Sequence, residues 1–253
     1  MRVYFLLACL AAAVATSWSV SAAEIKVLTA GAFKPVVTAV VADFEKQSGH
    51  KVTVEGDTAG GLLKRINGGE TFDLVFITAG ALDELTKSGK VAMGSTAALA
   101  RVGVGVAVKR GAALPDISTV AAFQRTMLAA RAVAYIDPAA GGSSGIYISN
   151  LFDKMGIADR VKPKAVLVPG GLVAQRLMDD QADVAIHQIS EIIAVPGATL
   201  VGPLPAEIQN YTVYSGGIRA NLSDTSAVSA LLTTFSSPAA REMMKAKGLD
   251  ALP

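Results

Sequence analysis

Cysteine is almost absent from the chain: Cys9 is the single one among 253 residues, and it lies in the apolar amino-terminal stretch. The remainder of the chain therefore has no thiol for a disulfide bond, a thiolate metal site or a cysteine nucleophile. Histidine is also scarce, since His50 and His187 are the two in the sequence. Their separation fits no zinc motif, so we predict no metal site and no cofactor, and we expect His50 at the surface.

No charge of one sign dominates, and aromatic residues are few. The sequence has 23 basic and 21 acidic residues, and aromatic residues make up 6% of it. Nucleic-acid-binding surfaces typically show a clustered basic excess, with aromatic rings where single strands stack. We therefore predict no nucleic-acid partner. The abundance of alanine, valine and leucine is typical of an α/β interior.

The one long apolar run stands at the start of the chain. Val3 to Ala15 follow a basic residue, and the small residues Ser19 to Ala23 suit cleavage by a signal peptidase. A retained membrane anchor is the alternative, but the run is shorter than the ~20 apolar residues that a spanning helix needs. We predict that residues 1–23 are a signal peptide, that the mature chain begins at Ala23 or Glu24, and that it is periplasmic.

Apolar periodicity predicts strands that alternate with helices throughout the remaining chain. Lys34 to Ser48 carries its apolar residues on one helical face and stops at Gly49, a common helix terminator. Strands separated by helices favour a mainly parallel sheet. The predicted strands are 25–29, 52–55, 74–78, 102–108, 133–136, 165–168, 184–186 and 211–218, and the predicted helices are 34–48, 61–66, 81–88, 117–130, 145–155, 172–180, 226–235 and one from about 239.

The elements fall into two β/α sets. One long extended run leads out of the first set after Arg101, and Tyr211 to Ile218 leads back into it. We therefore predict an α/β protein with two lobes joined by two crossing strands. Lobe one comprises residues 24–101 plus 211–253, and lobe two comprises residues 102–210.

Five predicted strand exits are rich in small and hydroxyl-bearing residues. In open parallel sheets, ligands bind beyond the carboxyl ends of the strands, where helix N-termini present unpaired N–H groups and partial positive charge. Such exits can together hold an anion without a fixed cation, although any one of them is equally explained as a tight turn. The five exits are 29–32, 57–61, 78–80, 137–145 and 169–171.

The order of these motifs resembles the periplasmic substrate-binding proteins of the molybdate-binding type, over essentially the whole predicted mature chain. The resemblance rests on a strand ending in small residues, a second loop with a hydroxyl, an Asp-Leu strand, an Asp-Pro turn before a Gly-x-Tyr helix start, and an Ala-Asp strand. These are residues 27–33, 58–61, 72–78, 137–138 with 145–147, and 182–186. The resemblance implies a type II periplasmic binding protein fold, ligand capture in the cleft between the lobes and an ABC permease of the inner membrane as partner.

The chain departs from the family pattern at three positions. Ala32 stands where oxyanion binders place a serine, Gly142 to Ser144 replace a proline-alanine pair, and His187-Gln188 stand where a tyrosine is expected. These differences argue against molybdate and tungstate. Residues 187–192 and 201–205 instead resemble a branch of the family associated with organic ligands, which includes proteins similar to an aconitate isomerase.

The predicted ligand contacts lie in the strand exits and directly after the Ala-Asp strand. Which of Lys64, Arg65 and Arg176 reaches the cleft stays open, because each also fits a solvated helix face, and Lys64 is preferred. Tyr147 and Tyr214 fit either an aromatic wall of the site or the core. The predicted ligand-binding residues are Thr29, Gly31, Ala32, Thr58, Ala59, Gly60, Gly61, Lys64, Thr78, Ser143, Ser144, Gly170, His187 and Gln188.

Two of these residues have alternative roles. Ser143 lies in a Gly-x-Ser-x-Gly pattern, but loop residues separate it from the preceding strand, which favours an anion loop over a nucleophile elbow. His187 fits a packed or capping histidine, a ligand contact, or the general base of an isomerase that moves an allylic proton beside a carboxylate.

Two functions therefore remain open. The first is a monomeric periplasmic receptor that captures a small organic anion, such as a carboxylate, or an oxyanion for an ABC transporter. The second is an aconitate isomerase-like enzyme that interconverts trans- and cis-aconitate, with His187 as the catalytic base. A signalling receptor without a transporter is a third possibility.

Overall fold

The computed structural model of the chain describes residues 22–253. Cys9 and nearly all of the predicted signal peptide lie outside the described residues. The strands are β1 Glu24–Ala30, β2 Lys51–Asp57, β3 Leu74–Thr78, β4 Ala97–Lys109, β5 Val133–Ile136, β6 Ala165–Val168, β7 Val184–Gln188, β8 Ala198–Pro203, β9 Tyr211–Ile218 and β10 Asp250–Ala251. The helices are α1 Lys34–Ser48, α2 Ala59–Asn67, α3 Ala79–Lys87, α4 Val120–Ala129, α5 Ser143–Lys154, α6 Ala158–Val161, α7 Gln175–Met178, α8 Ile189–Ile193, α9 Ser226–Thr234 and α10 Pro238–Ala246.

The strands of the described residues form one continuous sheet in the order β2-β1-β3-β9-β4-β7-β5-β6, with β8 and β10 paired to β4. The pairs of β1 with β2 and β3, and of β5 with β6 and β7, are parallel. The long strand β4 is antiparallel to β9 along residues 97–103 and antiparallel to β7 and β8 along residues 104–109. The prediction of a mainly parallel sheet is therefore wrong, because the crossing strands β4 and β9 pair antiparallel with their neighbours.

Buried apolar side chains form separate clusters on either side of the point where β4 changes partners. One cluster draws on residues 25–102 and 214–249. Two others draw on residues 104–204. The division into lobe one, 24–101 plus 211–253, and lobe two, 102–210, stays a prediction, and its boundaries fall where β4 leaves one cluster for another.

The amide of Gln209 ties the two crossing segments together. The Val104 N–H donates to Gln209 Oε1 and Gln209 Nε2 donates to the Val104 carbonyl, both at 2.9 Å. Because Val104 stands where β4 changes partners, this pair of hydrogen bonds fixes the spacing of the two connections.

Several predicted elements are confirmed at their bounds. Helix α1 spans Lys34–Ser48, and Gly49 ends it in the left-handed conformation at φ 76°. Strands β3, β5, β6 and β9 also match. The predicted helix at 172–180 is only the four-residue α7, and β8 was not predicted.

His50 is not at the surface, as expected from the sequence, but buried. Its Nδ1 accepts a hydrogen bond from the Ala23 N–H at 3.1 Å, and its ring packs on Phe44 with centroids 5.7 Å apart. It therefore anchors the start of β1. Within residues 22–253, no helix has the length and apolar character needed to cross a bilayer.

Candidate functional site

A cavity lies where strand exits from the two halves of the sheet meet. Its volume is about 340 Å³, at the low end of the ~300–1,000 Å³ of small-molecule sites. One wall comes from the ends of β1 and β2 and the start of α1. The opposite wall comes from the end of β5, the start of α5, the loop after β6 and the end of β7. The site thus draws on loops from both sets of strands.

Three helices begin at the cavity wall. Lys34, Ala59 and Ser143 are the first residues of α1, α2 and α5, which are 15, 9 and 12 residues long. Helix N-termini carry unpaired N–H groups and partial positive charge. Lys34 adds a full positive charge, and its side chain passes over Gly56, where an added Cβ would stand 2.9 Å from Lys34 Cδ. This arrangement favours a negatively charged ligand.

His187 and Glu191 form a buried pair in the cavity wall. His187 Nε2 lies 3.1 Å from Glu191 Oε2, and their side chains are 2% and 8% exposed. His187 is the next-to-last residue of strand β7 and Glu191 lies four residues later in α8, so the strand-to-helix turn brings them together. The contact is therefore set by the local fold.

Burial decides the charge of this pair. It lowers the pKa of His187 to about 3 and raises the pKa of Glu191 to about 8, because a charged side chain loses its hydration in this wall. Both shifts favour the uncharged forms, a neutral imidazole and a protonated carboxyl, over an ion pair.

Gln188 connects the cavity to β9. Its Nε2 lies 2.9 Å from Thr212 Oγ1 and 3.1 Å from Ser143 Oγ. Among residues 22–253, Gln188 Oε1 and His187 Nδ1 are buried and have no hydrogen-bond partner. Since hydroxyls both donate and accept, the Gln188 amide can turn and present either its oxygen or its nitrogen to a ligand. Ser143 therefore belongs to a hydrogen-bond network with Gln188 and Thr212.

Hydrogen bonds close the cavity on both sides. The Gly60 N–H donates to the Gly141 carbonyl at 3.0 Å, and the Thr58 hydroxyl donates to the Ala140 carbonyl. Ser190 Oγ donates to the Ala32 carbonyl at 2.8 Å. These contacts join the exits of β1 and β2 to segments that follow β5 and β7, and we call this bridged arrangement the closed form.

Replacing Gly60 by alanine is expected to open the cavity. An added Cβ would stand 2.7 Å from Gly141 Cα, which is backbone and cannot move aside. We expect a cost of roughly 1–3 kcal/mol to the closed form, as overpacking usually gives, so that small-angle X-ray scattering shows a larger mean radius of gyration. Gly80→Ala is the matched control, since Gly80 is also the second residue of a helix and an added Cβ there meets nothing within 4 Å. Identical scattering of both variants would contradict the closed contact.

The structure brings many of the predicted ligand-binding residues together. Tyr214, one of the two candidate aromatic walls, also lines the cavity, and its ring stacks on Phe33 at 6.0 Å. The predicted residues that line the cavity are Gly31, Ala32, Thr58, Ala59, Ser143, Ser144, His187 and Gln188.

Other predicted contacts lie off the cavity wall. Lys64 is exposed on α2, while Leu62 and Ile66 of that helix are buried. Residues two positions apart in a helix point about 200° apart around its axis, so Lys64 faces away from the side that buries Leu62 and Ile66. The predicted residues outside the lining are Thr29, Gly60, Gly61, Lys64, Thr78 and Gly170.

Neither arginine considered for the site lines the cavity. Arg65 contacts the carboxylates of Glu55, Asp57 and Glu70, and its hydrogen bonds to Glu70 and Glu55 raise its pKa. Arg176 pairs with Asp179 in the adjoining turn at 3.3 Å. Tyr147, the other candidate wall, donates its hydroxyl to the Ile208 carbonyl at 2.6 Å.

Two charged residues of the cavity wall, both outside the predicted strand exits, were missed in the sequence. Lys34 lies two residues after the first strand exit, so a basic residue at the start of the next helix was the available signal. Glu191 lies four residues after His187 among isoleucines, and an acidic residue in an apolar segment was the signal there. Lys34 was assigned to the predicted helix 34–48, and Glu191 was given no role beyond its place in residues 187–192.

Comparisons with known proteins give consistent matches. The sequence model of the family described as bacterial extracellular solute-binding protein matches residues 25–250. An aconitate isomerase from a Pseudomonas species is 34% identical over 233 residues, which cover 90% of this chain and 87% of that protein.

Solved structures share the architecture. The periplasmic molybdate-binding protein of Azotobacter vinelandii superposes with a TM-score of 0.75 at 20% identity, covering 91% of this chain and all of that one. The sulfate-binding protein of Mycobacterium tuberculosis superposes with a TM-score of 0.71 at 18% identity, covering 91% of this chain and 87% of that one. The fold is that of type II periplasmic binding proteins.

Proposed function

Because the chain belongs to the bacterial extracellular solute-binding proteins, we propose that its cavity captures a small organic carboxylate in the periplasm and delivers it to an ABC permease. The observation that carries this proposal is the convergence of three helix N-termini and Lys34 on one closed cavity. Each contributes positive potential or N–H donors, and together they suit an anion.

The walls favour an organic ligand over an inorganic oxyanion. Pro35, Ile136, Leu172 and Tyr214 line the cavity along with the polar groups. Apolar side chains gain by covering carbon atoms, which a tetrahedral oxyanion lacks. When the Gln188 amide is turned so that its nitrogen faces the ligand, it adds an N–H donor for a carboxylate oxygen.

A ligand screen tests this function. Purified mature protein should unfold at a higher temperature with trans-aconitate, cis-aconitate or citrate than without ligand, since a ligand that binds only the native state stabilises it. At a ligand concentration of 100 Kd the gain is about 2.7 kcal/mol, which corresponds to roughly 5–10 °C for a chain of this size. Molybdate and sulfate are the comparison anions. Stabilisation by molybdate alone would overturn the organic ligand.

A second candidate function is isomerisation of aconitate. The buried pair of His187 and Glu191 in the cavity wall favours it, because a receptor needs no titratable pair to hold an anion, whereas an allylic proton shift needs an acid–base group. The 34% identity to an aconitate isomerase over 90% of the chain supports the same candidate. Incubation with trans-aconitate, followed by ¹H NMR for the cis isomer, separates the two functions, since a receptor returns the ligand unchanged.

A further inference from the structure

Glu191 is a carboxyl group in the wall of a cavity proposed for carboxylates, and ligand capture alone leaves it without a role. The whole residue is 6% exposed, and it lines the cavity. Its Oε1 lies beside Gly31, where an added Cβ would stand 2.5 Å from that oxygen. Gly31 is itself part of the cavity wall, so only a residue without a side chain lets the carboxyl reach this position.

His187 lines the cavity as well, but its nitrogens are less available than the Glu191 carboxyl. Its Nε2 is engaged with Glu191 Oε2 at 3.1 Å, and its Nδ1 is buried without a partner in the described chain. A ligand in the cavity therefore meets the carboxyl more readily than the imidazole. For an isomerase, the geometry therefore favours Glu191 over His187, the base predicted from the sequence, as the group that meets the ligand.

We propose that Glu191 is the acid–base residue that moves a proton between two carbons of a bound allylic carboxylate, and that His187 is the positioning residue that stores the second proton. This inference rests on the proposed carboxylate function of the cavity. It names the group that would touch the reacting carbons, and it assigns His187 an indirect role.

The proton transfer balances without a cofactor. At the start, Glu191 Oε2–H donates to the neutral His187 Nε2. Glu191 Oε1 then takes a proton from the allylic CH₂ while the Oε2 proton passes to Nε2. The C–H electrons form a new double bond, the old one shifts toward the neighbouring carboxylate as a dienolate, and His187 becomes an imidazolium.

Return of the proton completes the shift. Glu191 Oε1–H protonates the carbon at the other end of the allylic system, the new C–H bond takes its electrons from the dienolate, and His187 returns its proton to Oε2. The pair ends as it began. The temporary imidazolium also offsets the negative charge that the dienolate gains.

Exchange in D₂O tests the proposal with trans-aconitate as the probe. The wild type should lose the C–H signals of the probe in ¹H NMR and form the cis isomer. Glu191→Gln preserves the shape but cannot carry a proton, so both rates should fall by at least about 100-fold. Its thermal shift with the probe should stay close to that of the wild type. Glu242→Gln, the same substitution at an exposed position of α10, is the control and should leave both rates unchanged.

The pH profile of His187→Gln tests the positioning role. Without the imidazole, Glu191 must already be ionised to accept a proton, so the remaining rate should rise with pH. The wild-type rate should rise less steeply over the same range, because the pair also accepts a proton while Glu191 is still protonated. The other titratable groups of the cavity, Lys34 on α1, Asp57 on β2 and Tyr214 on β9, are common to both proteins. Profiles of the same shape would overturn the role of His187.

The outcomes separate this inference from the function on which it rests. A wild type that is stabilised by trans-aconitate but exchanges no C–H proton overturns the acid–base role and leaves ligand capture intact. Full exchange in Glu191→Gln overturns the assignment to this residue. No stabilisation by any of the three carboxylates overturns the carboxylate function and this inference together.

Discussion

The wild-type protein should lose stability relative to Glu191→Gln as the pH rises from 6.5 to 8. Burial raises the pKa of Glu191 from 4.5 to about 8. Above pH 4.5 the unfolded chain releases this proton, whereas the native protein keeps it until about pH 8, so the native state binds more protons and its stability falls with rising pH. The limiting slope is about 1.4 kcal/mol per pH unit. We expect a relative loss of about 1–2 kcal/mol across this window, measured by urea unfolding at half-unit steps.

Between pH 6.5 and 8, Glu191 titrates in the native protein while its partner His187 does not. Burial lowers the pKa of His187 from 6.5 to about 3, so this residue makes stability rise with pH only between those values. Burial raises the pKa of Tyr214 above its ordinary value of 10, which keeps it neutral here. Lys34 and Asp57 are present in both proteins and cancel in the difference. Glu242→Gln should run parallel to the wild type, and a parallel Glu191→Gln curve would mean that Glu191 is ionised in the native protein at neutral pH.

The strand and helix pattern could be predicted because each element carries its own apolar period. Helix α1 shows a clear apolar face and a terminal glycine, and Leu74–Thr78 is a continuous apolar strand. Strand β8 was missed because Ala198–Pro203 ends in Gly-Pro and stays half-buried along its length. Antiparallel pairing of the crossing strands was also missed, since pairing partners depend on tertiary topology and leave no local signal.

The cavity could be predicted in part because it is built from loops next to strands. Small residues after a strand mark such loops, and Gly31, Thr58 and Ser143 were found in this way. Charged residues of the cavity were harder to predict, because a lysine or glutamate near a helix start has the same sequence pattern whether it faces solvent or a cavity. Lys34 and Lys64 show this: the first lines the cavity and the second, on the exposed face of α2, does not.

Glu191 illustrates a second limit of the sequence. The closeness of its carboxyl to Gly31 joins residues 160 positions apart, and only the fold makes that contact. Its raised pKa follows from burial of the whole turn between β7 and α8. The sequence shows an acidic residue four positions after a histidine, which also describes many exposed ion pairs.

Gly145→Ala should be the most destabilising of the substitutions considered for the cavity. An added Cβ would stand 2.2 Å from the Ile136 carbonyl oxygen and 2.8 Å from the carbon of that carbonyl. Both are backbone atoms of β5, so α5 must move away from the strand and carry Ser143 and Ser144 with it. Alanine gains up to about 1 kcal/mol in helix propensity, but overpacking against backbone costs typically 1–3 kcal/mol or more. We expect the clash to win, with a net loss of about 2 kcal/mol in urea unfolding.

Gly80→Ala separates the gain in helix propensity from the cost of overpacking. Gly80 lies in the first turn of α3 and an added Cβ there meets nothing within 4 Å, so Gly80→Ala should be neutral or slightly stabilising. Equal stability of Gly145→Ala and the wild type would contradict the close approach of α5 to β5. A loss of stability would instead mean that the last glycine of the Gly-x-Ser-x-Gly pattern is required by packing. The start of α5, with its N–H groups and hydroxyls, would then be held at the cavity by that contact, as an anion site requires.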